Sequence, residues 1–457
     1  MSPVTPRVLA AVGVMAGAGY AIVWSWALSS QTYNIYGALA IIPIIVALDL
    51  LLVARVIMRH PDEEWLRWVM VVGLFAKLIG TFGRYYVAYV VYSGQADAER
   101  YNYYASYQHK EWRQGIISWD FSGKQGTDMM EVITTAIYTV IGGSPLAGFF
   151  VFASLAFWGA YLLYRAFVIA LPEADHKRYA LLIFLLPSML YWPSSIGKES
   201  WLMLFVGVTA LGAARFFREQ SGAVILLATG AAGLTLVRPH IAVLIFAALA
   251  VAQLFRPTGG TATGLVRKIL GIGVLGAAAF VLVRASAEFL GIDDISVQAV
   301  SETVEWTGGQ TEQGGSEFTP VELTNPLAFP YALVTILFRP FVFETHNIQM
   351  LVQSLEGLFL MVLTIRGWRR LRRIPRLLRS NPFLWFAVLY IVGFTLAFAG
   401  FGNFGILARQ RVLMLPFFLM LLSLPRPVEA IFERMPLRRG EIGAASGEDR
   451  RMMATRR

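Results

Sequence analysis

Apolar stretches approaching bilayer length recur from residue 8 to residue 425, and the loops between them are mostly short. A segment must supply about 20 apolar residues to cross roughly 30 Å of hydrocarbon, so this repetition selects lipid as the solvent. Only 15% of the residues are charged, whereas soluble domains carry about 25%. The expected fold class is therefore all-α, a polytopic integral membrane protein. Apolar runs fall near residues 8–28, 36–55, 67–92, 146–170, 179–192, 201–217, 221–237, 240–255, 268–284, 346–365, 382–400 and 412–424. Read as crossings, they make about twelve transmembrane helices. Arg7 ahead of the first run resembles a signal sequence, but its length and the spans behind it favour an uncleaved helix.

Basic residues set the expected orientation. Arg55, Arg59, Arg67, Arg165, Lys177, Arg178, Arg215, Arg218, Arg256, Arg267 and Lys268 fall on one side. The segment RGWRRLRRIPRLLRS (366–380) adds seven arginines, and the tail beyond residue 425 adds eight. That side reads as cytoplasmic, with both termini, and the host as a cell (inner or plasma) membrane. The same topology accounts for the net charge of +10, so nucleic acid is not an expected partner. Two further apolar stretches, 129–143 and 326–343, would break this parity, and they read as re-entrant or interfacial helices on the outer face. The expected organisation is one transmembrane domain over 1–424, with outer loops 93–145 and 285–345. A basic, disordered cytoplasmic tail then covers 425–457. Within the later outer loop, residues 285–325 carry Glu288, Asp293, Asp294, Glu302, Glu305, Glu312, Glu317 and Glu322 without a lysine or arginine. It reads as a solvated cover, with a gate over a cavity as the sharper alternative.

Four polar insertions interrupt the oil at the outer level: SGQADAERYNYYASY (93–107), YWPSSIGKES (191–200), LVRPHIA (236–242) and FGNFGILARQRVLMLP (401–416). Taken singly, a lysine or arginine there is a snorkelling anchor, Asp97 a helix cap and His240 a satisfied turn residue. Taken together they are unexpected, because outer loops should be poor in basic residues. Lys198, Arg238, His240, Arg409 and Arg411 at headgroup depth suit an anionic phosphate, arginine offering a planar fork and lysine a compact charge. Arg339 joins them if 326–343 is re-entrant. Polyprenyl phosphates and pyrophosphates present that group at that depth. Opposite them, Asp97, with Glu99 as second choice, provides a carboxylate that takes a proton from an acceptor hydroxyl while the cations stabilise a leaving phosphate. Tyr101, Tyr104 and Glu199 are the candidate sugar contacts in this scheme; an aromatic belt is the plainer reading of the tyrosines. Lys77 and Arg84 lie deeper, inside the third span. The chemistry requires no metal, nucleotide or other cofactor, and the absence of cysteine excludes disulfides and thiolate nucleophiles.

Asp97-Ala98-x-x-Tyr101, the PSSIGKES turn and the late ARQRVLMLP segment resemble bacterial polysaccharide polymerases and related GT-C-type glycosyltransferases that use polyprenyl-phosphate donors. The resemblance implies a catalytic carboxylate in the first outer loop, at Asp97, and essential outer-face arginines, at Arg238, Arg409 and Arg411. It implies transfer of sugar from a polyprenyl-phosphate-linked donor to a glycan or lipid-linked acceptor. The chain departs from standard GT-C enzymes in the number of spans before the acidic loop and in lacking a soluble C-terminal outer domain. Two other functions fit the same residues. A lipid-linked oligosaccharide flippase or transporter would use twelve spans, although no internal repeat is evident. An O-antigen-ligase-like transferase would use the same donor with a different acceptor.

Overall fold

The computed structural model describes residues 6–119, 125–258, 260–290, 316–321 and 325–425. The acidic residues Asp293, Asp294, Glu302, Glu305, Glu312 and Glu322 lie outside the described residues, as does the basic tail from residue 426 on. Among the described residues the fold is all-helical, with one isolated β-bridge between Glu317 and Asn403.

Helices α1 (Pro6–Ser30) and α2 (Tyr33–Met58) lead into α3 (Glu64–Tyr86), which continues as a π-helical turn over Val87–Val91. Next come α4 (Asp97–Arg113), α5 (Gln125–Ile141) and α6 (Pro145–Ala170). The middle of the chain forms α7 (His176–Leu185), α8 (Pro187–Tyr191), α9 (Lys198–Phe217), α10 (Ala223–Thr235), α11 (Pro239–Leu254) and α12 (Ala262–Leu290). The last third contains α13 (Phe329–Phe338), α14 (Ile348–Arg366), α15 (Trp368–Leu371), α16 (Ile374–Leu378), α17 (Pro382–Phe398), α18 (Phe404–Arg411) and α19 (Leu415–Leu422). Among the described residues, six helices are long and apolar enough to cross a membrane, or up to eight if each of two sharply bent pairs counts as one span. The apolar runs at 221–237 and 240–255 are thus shorter helices, and 326–343 holds a ten-residue helix. Stretch 129–143 belongs to α5, which packs on α4 and ends at Gly142 in the left-handed region (φ +83°).

The run at 179–192 is not one helix. Pro187 cannot donate to the helical ladder, and the chain breaks at Leu186 into α7 and α8. The short α8 that follows the break ends in carbonyls that need partners, because the residue four beyond Met189 is Pro193, which has no N–H. Lys77, 3% exposed, supplies one by donating from Nζ to the Met189 carbonyl at 2.9 Å. Lys77 therefore ties α3 to the broken segment, which explains an otherwise costly cation in an apolar helix.

Small residues set the closest helix contacts. At the α6–α9 crossing a side chain on Gly207 would overlap the Gly159 carbonyl, and one on Gly159 would overlap Met203. Such pairs let backbones approach where lipid tails offer no hydrophobic drive for association. Ser144 caps α6 by accepting from the Ala147 N–H at 3.2 Å, with Pro145 at the first helical position. At one end of the bundle Asp175, Arg370 and the Leu424 carbonyl are joined, the Arg370–Asp175 contact measuring 2.8 Å. The start of α4, the starts of α9 and α11, and α18 converge elsewhere, around a polar cavity.

The crossing gives a direct prediction. Gly207→Val forces α6 and α9 apart and costs about 1–3 kcal/mol, as overpacking does elsewhere. Thermal unfolding in detergent should show a lower midpoint for Gly207→Val and a smaller drop for Gly207→Ala.

Candidate functional site

The YWPSSIGKES turn owes its shape to Pro193 and two serines. Ser194 Oγ donates to the Leu190 carbonyl at 2.5 Å, and Ser200 Oγ donates to the Ser195 carbonyl at 2.9 Å. The turn delivers Lys198 and Glu199 as the first two residues of α9. A carboxylate there is favoured by the helix dipole, whereas a lysine is not, so Lys198 has a reason other than helix stability. Asp97 likewise opens α4, and Asn403 caps α18 by accepting from the Ile406 N–H at 3.1 Å.

These elements enclose a cavity of about 370 Å³. Asp97, Lys198, Glu199 and Arg409 line it, together with Arg84, Tyr92, Trp192, Gln349 and Asn403. Arg409 Nη1 donates to Asp97 Oδ2 at 2.8 Å, and its Nε lies 3.2 Å from Glu199 Oε1. Glu199 Oε1 also accepts from Arg238 Nη2 at 3.1 Å, while Arg238 Nη1 bonds to Gln410 Oε1. The result is a chain of alternating charge, Asp97–Arg409–Glu199–Arg238, ending on a neutral amide. Glu199 and Arg238 are buried, whereas 59% of the Asp97 side chain is exposed. Lys198 Nζ donates to Thr127 Oγ1 at 3.2 Å. Burial alone would raise the Asp97 pKa. The adjoining Arg409, with Lys198 and Arg238 further off, outweighs that and holds the carboxyl below its usual range.

The structure thus gathers Asp97, Lys198, Glu199 and Arg409 around one cavity, with Arg238 one layer behind, holding Glu199. Other sequence candidates do not line it. Glu99, two positions along α4 from Asp97, bonds to the Asn102 amide at 3.0 Å. Arg411, two positions from Arg409 on α18, is fully buried; it donates to the Arg339 carbonyl at 3.0 Å and lies 3.7 Å from Glu356. Residues two apart on a helix point to different faces, which separates both pairs. His240 is half-buried beside Phe289, with ring centroids 6.1 Å apart. Tyr101 is buried in the core, and Tyr104 is half-buried outside the cavity wall. Arg339 pairs with Glu344 at 3.0 Å and stacks over Phe318 and Phe404. The described end of the acidic loop is anchored instead of free, since Phe318 N donates to the Gly402 carbonyl and Ser316 reaches the cavity.

Several wall residues carry no assigned role in the sequence reading. Arg84 was legible as a cation inside an apolar span; it sits 5.1 Å over the Trp192 ring. Tyr92 precedes one polar insertion and Trp192 lies inside another, but Gln349, which accepts from the Tyr92 hydroxyl at 2.7 Å, has no local signal. Among the described residues no group of three histidine or carboxylate side chains could hold a metal ion. Compared with known proteins, the chain matches no family model, and neither a curated protein nor a solved structure aligns with it significantly.

Two outcomes follow from the charge chain. Glu199→Ala leaves buried Arg238 with only the neutral Gln410 amide and should cost about 3–5 kcal/mol of stability, with Glu199→Gln milder; thermal unfolding in detergent measures both. Because the Asp97 pKa is depressed in the folded state, its contribution is present above the unfolded value of about 3.9 and is lost as pH falls through the folded value. The midpoint difference between wild type and Asp97→Asn should therefore be constant near neutrality and close at acid pH.

Proposed function

We propose that this protein is a membrane glycosyltransferase, of polysaccharide-polymerase or GT-C-like type, that transfers sugar from a polyprenyl (pyro)phosphate donor on the extracytoplasmic face. The observation that carries the reading is one cavity wall holding an accessible carboxylate, Asp97, opposite Lys198 and Arg409. The proposal keeps a twelve-crossing topology with both termini cytoplasmic, so that this cavity faces outward at headgroup depth.

In the proposed reaction the acceptor hydroxyl approaches Asp97 and gives up its proton to the carboxylate. Its oxygen forms the new bond to the anomeric carbon as the bond from that carbon to the phosphate oxygen breaks. The electron pair leaves with the phosphate, whose growing charge Lys198 and Arg409 neutralise. In-line attack inverts the anomeric configuration. The contact between Arg409 and Asp97 adds a further step. Arg409 rests on Asp97 and depresses its basicity. A donor phosphate in the cavity competes for the same guanidinium, and losing that partner returns the carboxylate toward ordinary basicity. Arg238 does not reach the donor in this scheme; it fixes Glu199, which in turn aims Arg409.

An O-antigen-ligase-like transferase would use the same donor groups and differ only in its acceptor. A flippase has less support, because Lys77, a cation inside an apolar span, is engaged by the Met189 carbonyl.

Asp97→Asn should lower glycan product formation by roughly 10²–10⁴-fold, the contribution typical of a positioned base, while the protein still elutes as a single species from size exclusion. Product formed at the wild-type rate would remove Asp97 from this role.

A further inference from the structure

The polar cavity has an apolar neighbour. A second cavity, also of about 370 Å³, is lined by Val87, Val91, Pro187, Tyr191, Ile348 and Val352. It shares Tyr92, Trp192 and Gln349 with the polar cavity. A third, of about 510 Å³, continues from it through shared Pro187, Val352 and Glu356 to Leu181, Leu185 and Phe359. The polar cavity therefore adjoins a succession of apolar ones, with the Tyr92–Gln349 hydrogen bond where the first two meet.

Two features of the backbone build this succession. At the π-helical turn over Val87–Val91, which ends α3, Ala88 lines the polar cavity, Val87 and Val91 line the apolar one, and Tyr92 just beyond lines both. On the other side, Pro187 at the break between α7 and α8 lines both apolar cavities. Along the rim Val91, Ile348, Val352 and Phe359 are exposed apolar side chains, so the groove opens onto an apolar flank of the bundle. The carboxylate of Glu356 does not make the groove anionic toward its contents. Its Oε2 accepts from the Ser188 N–H at 2.6 Å, and its Oε1 faces Arg411 at 3.7 Å.

We infer that this groove holds the hydrocarbon tail of an anionic amphiphile whose head lies in the polar cavity against Lys198 and Arg409, with Tyr92 and Gln349 at the junction. The inference rests on the phosphate reading of the polar cavity and adds where the tail runs. A phosphate ester on a flexible apolar chain is the occupant that meets both halves, since cations line one and hydrocarbon lines the other. Each methylene moved from water into the groove adds favourable transfer free energy, so binding should depend on chain length.

The test measures binding of farnesyl phosphate, isopentenyl phosphate and farnesol to the full-length protein in lipid nanodiscs. Wild type should bind farnesyl phosphate roughly tenfold or more tightly than isopentenyl phosphate. Val352→Trp, at an exposed position that fills the groove, should erase that preference while leaving isopentenyl phosphate binding unchanged. Val91→Trp should do the same from the opposite wall. Equal binding of the long and short phosphates, or a wild-type preference in both tryptophan variants, would overturn the groove and leave the phosphate site standing. Farnesol binding as tightly as farnesyl phosphate, with no effect of Lys198→Ala, would support the groove and overturn the phosphate reading.

Discussion

The site depends on one shared carboxylate. Glu199 Oε1 lies between the guanidinium groups of Arg238 and Arg409, and Arg409 in turn reaches Asp97. Isolated, a buried arginine or glutamate would be far too costly to keep; alternated, each charge supplies the partner its neighbour needs. The chain draws on α4, α9, the turn before α11 and α18. Segments more than 300 positions apart in sequence therefore meet only because this pairing and the packing beneath it agree. Its outer end, Asp97 with Arg409, borders open space, so a fixed interior pair positions a more accessible one.

Fold class was legible because lipid tolerates few backbone solutions, and repeated apolar runs leave little choice among them. Individual spans were less legible. Pro187 splits one run, and the lengths of α10 and α11 are set by turns around Gly222 and Arg238 that hydropathy does not register. The polar residues were found by their cost, because Asp97, Lys198, Glu199 and Arg409 stand where an oily chain should not place them. That argument could not sort facing from non-facing residues. Arg409 and Arg411, like Asp97 and Glu99, are two positions apart on a helix, and helical geometry turns one member of each pair away. Gln349 was invisible, being one amide at the start of α14 with meaning only through its contact with Tyr92.

Lys77 shows how position alone misleads. A lysine within an apolar helix invites a transport or proton-relay reading. Its contact with the Met189 carbonyl shows that it repairs the backbone of a broken neighbour instead. Pro187, at the break, lines the apolar groove, so the segment that Lys77 ties down also borders the space beside the site. The polar cavity and its apolar continuation together form the outline of an amphiphile, which neither would suggest alone.

The central claim is that the cations of the polar cavity hold a lipid phosphate next to Asp97. A cryo-electron microscopy structure in nanodiscs with undecaprenyl phosphate tests it most directly. The account predicts phosphate density between Lys198 and Arg409, with the Arg409 guanidinium drawn away from Asp97. Phosphate density elsewhere on the protein, with the Asp97–Arg409 pair intact, would contradict it.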